Sequence, residues 1–177
     1  QITRNGIKFW QGGDIINSIS TDTGADAAIV FDGPGKYRII NSVVAYHNKN
    51  GPNSYTATFG YDQGSNMEVE ILNSIFHKNV GSIWINSDAK LTIKNTIFSG
   101  GTQTGRYIDY KEMAYGDTYA QQGWGKPLTD LNPSLSEVTD VGFVDNNNFQ
   151  LKETSPAIDK GITTLATTDL LGNSRPQ

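Results

Sequence analysis

The sequence predicts an all-β chain wound as a parallel solenoid of about five turns, closed by a C-terminal cap. Three observations carry this. MEVEILNSIF at Met67–Phe76 recurs as KLTIKNTIF at Lys90–Phe98, and the same device appears upstream in YRIINSVV and DIINSI. The Asn residues of the four copies, Asn17, Asn41, Asn73 and Asn95, are spaced by 24, 32 and 22 residues, one solenoid turn with loops of variable length. The composition is rich in turn formers, with 19 Gly, and only 18% of it is charged. Short strands joined by many turns fit that composition better than helices do.

Taken in chain order, each turn offers three strands. In the clearest copy these are Ser82–Asn86, then Lys90–Ile93 after a corner at Ser87–Ala89, then Thr96–Phe98 after a bend at Lys94–Asn95. The equivalent first strands are Gly6–Trp10, Ala28–Asp32, Thr56–Gly60 and Arg106–Tyr110. With a period of two, Ile7 and Phe9, Ile29 and Phe31, Ala57 and Phe59, Ile83 and Ile85, and Ile108 and Tyr110 face one core. Val69, Ile71, Leu91 and Ile93 add the second wall. Ile19, Val43, Ile75 and Ile97 are expected to add the third.

The recurrent Asn has a physical reason. A bend between strands requires a residue to leave the β region, and Asn tolerates the left-handed conformation better than other non-Gly residues. An inward amide would also satisfy backbone groups at the bend, so the four Asn are expected to form an internal structural ladder. Lys111–Thr139 lacks the repeat and reads as a loop excursion with a short helical turn. The chain is therefore divided into turns at 1–110, an excursion at 111–140 and a cap at 141–177, with the cap expected to fold over the last turn. The repeat is already under way at Gly6. That points to a piece of a longer chain and to an uncapped N-terminal edge, where further turns or another protein would sit.

A net charge of -4 without a Lys/Arg cluster leaves no footprint for nucleic acid. With no Cys and two His, the sequence carries neither a disulfide frame nor a zinc-ligand spacing, and no metal or cofactor is expected. No apolar run approaches the roughly 20 residues of a membrane helix, so no membrane insertion is expected.

The apolar-x-apolar-x-Asn-Ser/Thr-Ile/Val pattern at Val69–Ile75 and Leu91–Ile97 resembles the right-handed parallel β-helix repeat of bacterial secreted proteins, the pectate-lyase-like superfamily. The tail is similar to that of a surface-anchored Bacteroidetes group. It carries Gly142-Phe143-Val144, Phe149-Gln150-Leu151, Ser155–Gly161, Asp169, Gly172-Asn173 and Arg175-Pro176. The resemblance implies a secreted or cell-surface bacterial location and a polysaccharide partner. It leaves three functions open: carbohydrate recognition or display, a polysaccharide lyase or glycoside hydrolase with catalytic turns partly upstream, and an adhesive spacer.

In the lyases of that superfamily the chemistry lies on the outer face of the first sheet. The outward column here is Lys8, Val30, Thr58, Trp84 and Asp109, flanked by Trp10, Asp32, Gly60, Asn86 and Lys111. Neither column gathers the carboxylates that calcium needs. The catalytic residues stay unassigned. The substrate-binding candidates are Trp84, Asn86, Tyr107 and Trp10 for stacking and hydrogen bonding to sugar rings, with Arg106 and His77 beside them. His47 and the Asp22 and Asp26 loop read as surface turns.

Overall fold

Each Asn of the repeat adopts the left-handed conformation, with φ of 49° at Asn17, 50° at Asn41, 50° at Asn73 and 48° at Asn95. This turns the chain sharply where an ordinary L-residue would pay a steric penalty. The computed structural model describes residues 5–21, 27–47, 55–60, 66–100, 105–145, 149–169 and 172–174. The Asp22 and Asp26 loop and the Arg175-Pro176 pair lie outside the described residues.

Four levels supply a strand to every wall. They are β1 (Asn5–Trp10), β2 (Gly13–Ile16) and β3 (Ile19–Thr21); β4 (Ala27–Asp32), β5 (Gly35–Ile40) and β6 (Val43–Ala45); β7 (Tyr55–Phe59), β8 (Met67–Leu72) and β9 (Ile75–His77); and β10 (Ser82–Ile85), β11 (Lys90–Lys94) and β12 (Ile97–Ser99). The fifth level has β13 (Ile108–Tyr110) and β15 (Ser136–Val138), with β14 (Met113–Tyr115) between them. Sheet A runs β1-β4-β7-β10-β13-β14, sheet B β11-β8-β5-β2 and sheet C β15-β12-β9-β6-β3. Every pairing is parallel except β13 with β14. Among the described residues the solenoid is thus shorter than five full turns, because its fifth level has no sheet B strand.

The register of sheet A follows the expected columns. Ile7, Ile29, Ala57, Ile83 and Ile108 are successive partners, and so are Phe9, Phe31, Phe59, Ile85 and Tyr110. Within the second column Phe31 stacks on Phe9 at 5.0 Å and on Phe59 at 4.7 Å. Like residues stack because each level repeats the spacing of the last, and the interior they enclose is apolar. The outer face of sheet B carries compensating charges instead. Arg38 grips Asp14 through two hydrogen bonds of 2.7 and 2.5 Å, and Lys36 meets Glu70 at 2.7 Å. Those pairs span neighbouring levels and keep that face solvated.

Sheet C corrects the expectation for the third wall. Its inward side chains are Val44, Phe76 and Phe98, which belong to the main core. Ile19, Val43, Ile75 and Ile97 face outward into a second core, with Val141, Phe143, Phe149 and Leu151. A sheet buried on both faces reads as a continuous apolar run, so alternation cannot tell its sides apart.

The asparagine ladder is likewise external. All four Asn side chains are half-buried, whereas the hydroxyl residue that follows each of the last three is buried, with Ser42 at 2%, Ser74 at 1% and Thr96 at 0% exposure. Ser42 Oγ accepts from the Ser18 amide at 3.2 Å, and Ser74 Oγ accepts from the Ser42 amide at 3.3 Å. Each hydroxyl also donates to the carbonyl two residues before it, from Ser42 to Ile40, Ser74 to Leu72 and Thr96 to Lys94. The inward polar ladder is made of Ser and Thr.

The excursion closes the core. A two-residue turn at Lys111 and Glu112, with φ of 50° and 59°, reverses the chain into β14. A short helix, α1 (Asp117–Gln121), and a 3-10 turn at Leu128–Asp130 follow, before β15 rejoins sheet C. Leu128, Leu131 and Leu135 fill the main core at the level that lacks a sheet B strand. The backbone is satisfied there too. Asn17, Asn41 and Asn73 donate their amides to carbonyls of the next level, whereas Asn95 donates to Ser134 Oγ at 2.8 Å.

The tail does something other than cover the last turn. Residues 141–145 pair antiparallel with residues 149–151, Phe143 being bridged to Leu151, and cover the outside of sheet C. Residues 157–168 then run back down the solenoid along the Asn column. Asn95 Nδ2 donates to the Lys160 carbonyl at 2.5 Å, Asn73 Nδ2 to Ile162 at 2.7 Å and Asn17 Nδ2 to Thr168 at 2.7 Å, while Asn41 Nδ2 reaches Thr164 Oγ1 at 3.3 Å. At the opposite end β1, β2 and β3 are the outermost strands described, and Ile7 there is 45% exposed.

Candidate functional site

The outward column of sheet A has the expected register, Lys8, Val30, Thr58, Trp84 and Asp109. Its exposure is uneven: Val30 and Thr58 are buried and Trp84 is half-buried. The face opens beside Trp84, where a cleft of about 460 Å³ lies between sheet A and the excursion. Tyr55, Trp84 and Asp109 supply its floor from three successive strands, and Tyr119 and Trp124 supply the opposite wall.

That wall is fixed by polar contacts. Glu137 on β15 accepts from the Thr118 amide at 2.8 Å and from Thr118 Oγ1 at 2.5 Å, which anchors the first turn of α1. Asp117 Oδ1 accepts from the Leu128 amide at 2.9 Å. Gly125 lies so close to the Ala114 carbonyl and the Tyr119 ring that a Cβ would fall 2.5 Å from the former and 2.6 Å from the latter. Only Gly lets the chain pass there, and the passage brings Trp124 edge-on to Tyr119 at 5.8 Å. Trp124 is 61% exposed.

The polar part of the cleft centres on Asp109. Its Oδ1 accepts from Arg106 Nε at 2.6 Å and its Oδ2 from Ser82 Oγ at 2.5 Å. The hydrogen bond to Asp109 raises the Arg106 pKa, already high, and the attraction of the same carboxylate adds to it, while burial opposes both. Lys111 and Glu112 stand at the rim, the Lys111 ammonium 5.2 Å from the centre of the Tyr110 ring. Among the described residues no three His, Cys, Asp or Glu side chains gather as metal ligands. No helix described is long and apolar enough to cross a membrane.

Of the residues expected to bind a ligand, the cleft brings together Trp84 and Arg106. Asn86 lies at the next corner, where its Oδ1 accepts from the Asp88 amide at 2.9 Å and its Nδ2 donates to Gly60 at 3.3 Å. Trp10 sits three strands from Trp84, roughly 14 Å at the usual strand spacing, beside Lys8 and Asp32. Tyr107 turns inward, 7% exposed and 5.2 Å from the Phe98 ring. His77 is buried under the tail, its Nδ1 2.6 Å from Ser99 Oγ and its ring edge-on to Tyr46 and Phe143. Burial and then the Lys78 charge lower the His77 pKa, and Asp140 opposes them. His47, expected as a surface turn residue, is buried too.

Sequence reasoning missed Tyr55, Tyr119 and Trp124. The signal for the last was present in the Gly123-Trp124-Gly125 triplet, a large aromatic ring held between two glycines. Comparison with protein-family models, curated proteins and solved structures finds no match for this chain. The fold and the cleft define it as a parallel β-solenoid with an aromatic cleft on one sheet.

Proposed function

We propose that this solenoid is an exported carbohydrate-recognition module, displayed at a bacterial surface, and that a polysaccharide binds in the Trp84 cleft. The observation that carries the reading is the meeting of Trp84, Tyr55, Tyr119 and Trp124 around one open cleft that also holds Arg106. Flat aromatic faces take up the apolar faces of sugar rings, while charged groups nearby hydrogen-bond the ring hydroxyls. The resemblance of the repeat and the tail to secreted β-helix proteins supports the same reading. Catalysis is not part of it, since Asp109 is already committed to Arg106 and Ser82.

Titration of the protein with soluble polysaccharides, followed by tryptophan fluorescence, tests this. Saturable quenching or a blue shift whose affinity weakens at least about fivefold in Trp84→Ala and in Trp124→Ala is expected, each ring being worth about 1–3 kcal/mol by analogy with base stacking. Binding unchanged in both variants would reject the cleft as the site.

A further inference from the structure

We infer that the cleft is built for an uncharged, hydroxyl-rich glycan and discriminates against acidic polysaccharides; this rests on the reading of the cleft as a glycan site. Its charges cancel. Arg106 and Lys111 are matched by Asp109 and Glu112 in the same lining. The cations are also engaged. Arg106 Nε is held at 2.6 Å by Asp109, a carboxylate only 8% exposed and fixed from its other side by Ser82.

A ligand carboxylate would have to compete with Asp109 for the guanidinium, and winning would leave a buried charge without its partner. Lys111 offers no compensating field, because Glu112 follows it in the two-residue turn and its ammonium lies over the Tyr110 ring. A neutral sugar meets none of these penalties. Its ring face can lie on Trp84 while vicinal hydroxyls donate to the exposed Glu112 carboxylate and accept from the terminal nitrogens of Arg106, whose side chain is 47% exposed.

The test is affinity electrophoresis of the full chain through gels containing galactomannan, xyloglucan or hydroxyethyl cellulose, against polygalacturonate or alginate. Each gel is run at about 0.05 and about 0.5 M NaCl, where the screening length differs severalfold. The expected result is retardation by at least one neutral polymer, unchanged by salt and reduced at least about tenfold in Trp84→Ala, a loss of 1.4 kcal/mol or more. Retardation by the uronate polymers alone, dependent on Trp84 and abolished by salt, would overturn the charge argument and leave the glycan reading standing. Absence of Trp84-dependent retardation in every gel would overturn both. Glu112→Lys, at an exposed turn, turns a balanced lining into a cationic one and should add retardation by polygalacturonate. A folded variant that gains none would count against the charge argument.

Discussion

Asn73 and Ile162 are 89 residues apart in sequence, yet the side-chain amide of the first pairs with both main-chain polar groups of the second. The Ile162 amide donates to Asn73 Oδ1 at 2.9 Å, and Asn73 Nδ2 donates to the Ile162 carbonyl at 2.7 Å. Asn73 Nδ2 also donates to Asn41 Oδ1 at 3.0 Å, which links neighbouring members of the column. The residue that makes the bend thereby also fastens the tail.

Replacement of Asn73 should separate those two roles. Asn73→Gly keeps the left-handed bend and loses the tail contacts; Asn73→Ala loses both. Hydrogen exchange at the Ile162 amide should accelerate at least about tenfold in each variant. The urea midpoint should fall further for Ala, by about 1–2 kcal/mol of extra steric cost. Unchanged protection at Ile162 would mean that the tail is held by something other than Asn73.

Ser74 presents the complementary case. Its hydroxyl lies inside the stack, accepts from the Ser42 amide and donates to the Leu72 carbonyl. Ser74→Ala strands a buried amide and should cost about 1–3 kcal/mol of global stability by denaturant unfolding. Exchange should rise across the levels around Ser74, in contrast to the local effect at Asn73. A neutral Ser74→Ala would remove the hydroxyl ladder from the account of stability.

The pH dependence should report on His77. Burial holds its folded pKa below the ordinary 6.5, so the unfolded chain binds more protons whenever the pH lies between the two values. Its favourable contribution is complete above that ordinary pKa and diminishes as the pH falls through it, levelling off below the folded value. The Asp140 carboxylate, kept below its ordinary 3.8 chiefly by the Gly142 amide, titrates beneath this window. Thermal unfolding followed from about pH 7.5 down to about pH 5 should show declining stability, with a shallower decline in His77→Phe. An identical slope in the variant would assign the effect elsewhere.

Leu128 is 0% exposed within the main core, at the level without a sheet B strand. Leu128→Ala should cost about 2–5 kcal/mol, the range for a core leucine whose cavity cannot collapse. The comparison is Leu165→Ala, which alters a tail side chain 51% exposed and should change unfolding by about 0.5 kcal/mol or less. Equal, small effects would show that the excursion does not seal the solenoid.

What could be read from the sequence was what repeats chemically. The Asn column recurs as Asn at all four complete levels, so its bends and the register of sheet A were visible. The other left-handed corners recur only as geometry. Gln11, Gly33 and Gly60 turn the chain out of sheet A, and Tyr46, Lys78 and Gly100 turn it out of sheet C, all with positive φ. Such mixed residues leave no pattern. Which way the Asn side chains point was also hidden, because their partners are tail carbonyls that lie far away in sequence. The cleft was half visible: alternation placed Trp84 outward, but only the path of the excursion brings Tyr119 and Trp124 opposite it.

The tail laid along the Asn column changes how the stack can come apart. In an array of identical levels each one touches only its neighbours, so an end can peel away without disturbing the rest. Here residues 160 to 168 fasten to all four complete levels, in reverse order of their synthesis. Of these four, the level made first is therefore the last to be tied. Until the tail has been threaded down to Asn17, the solenoid is a row of separable coils; afterwards it behaves as one laced body.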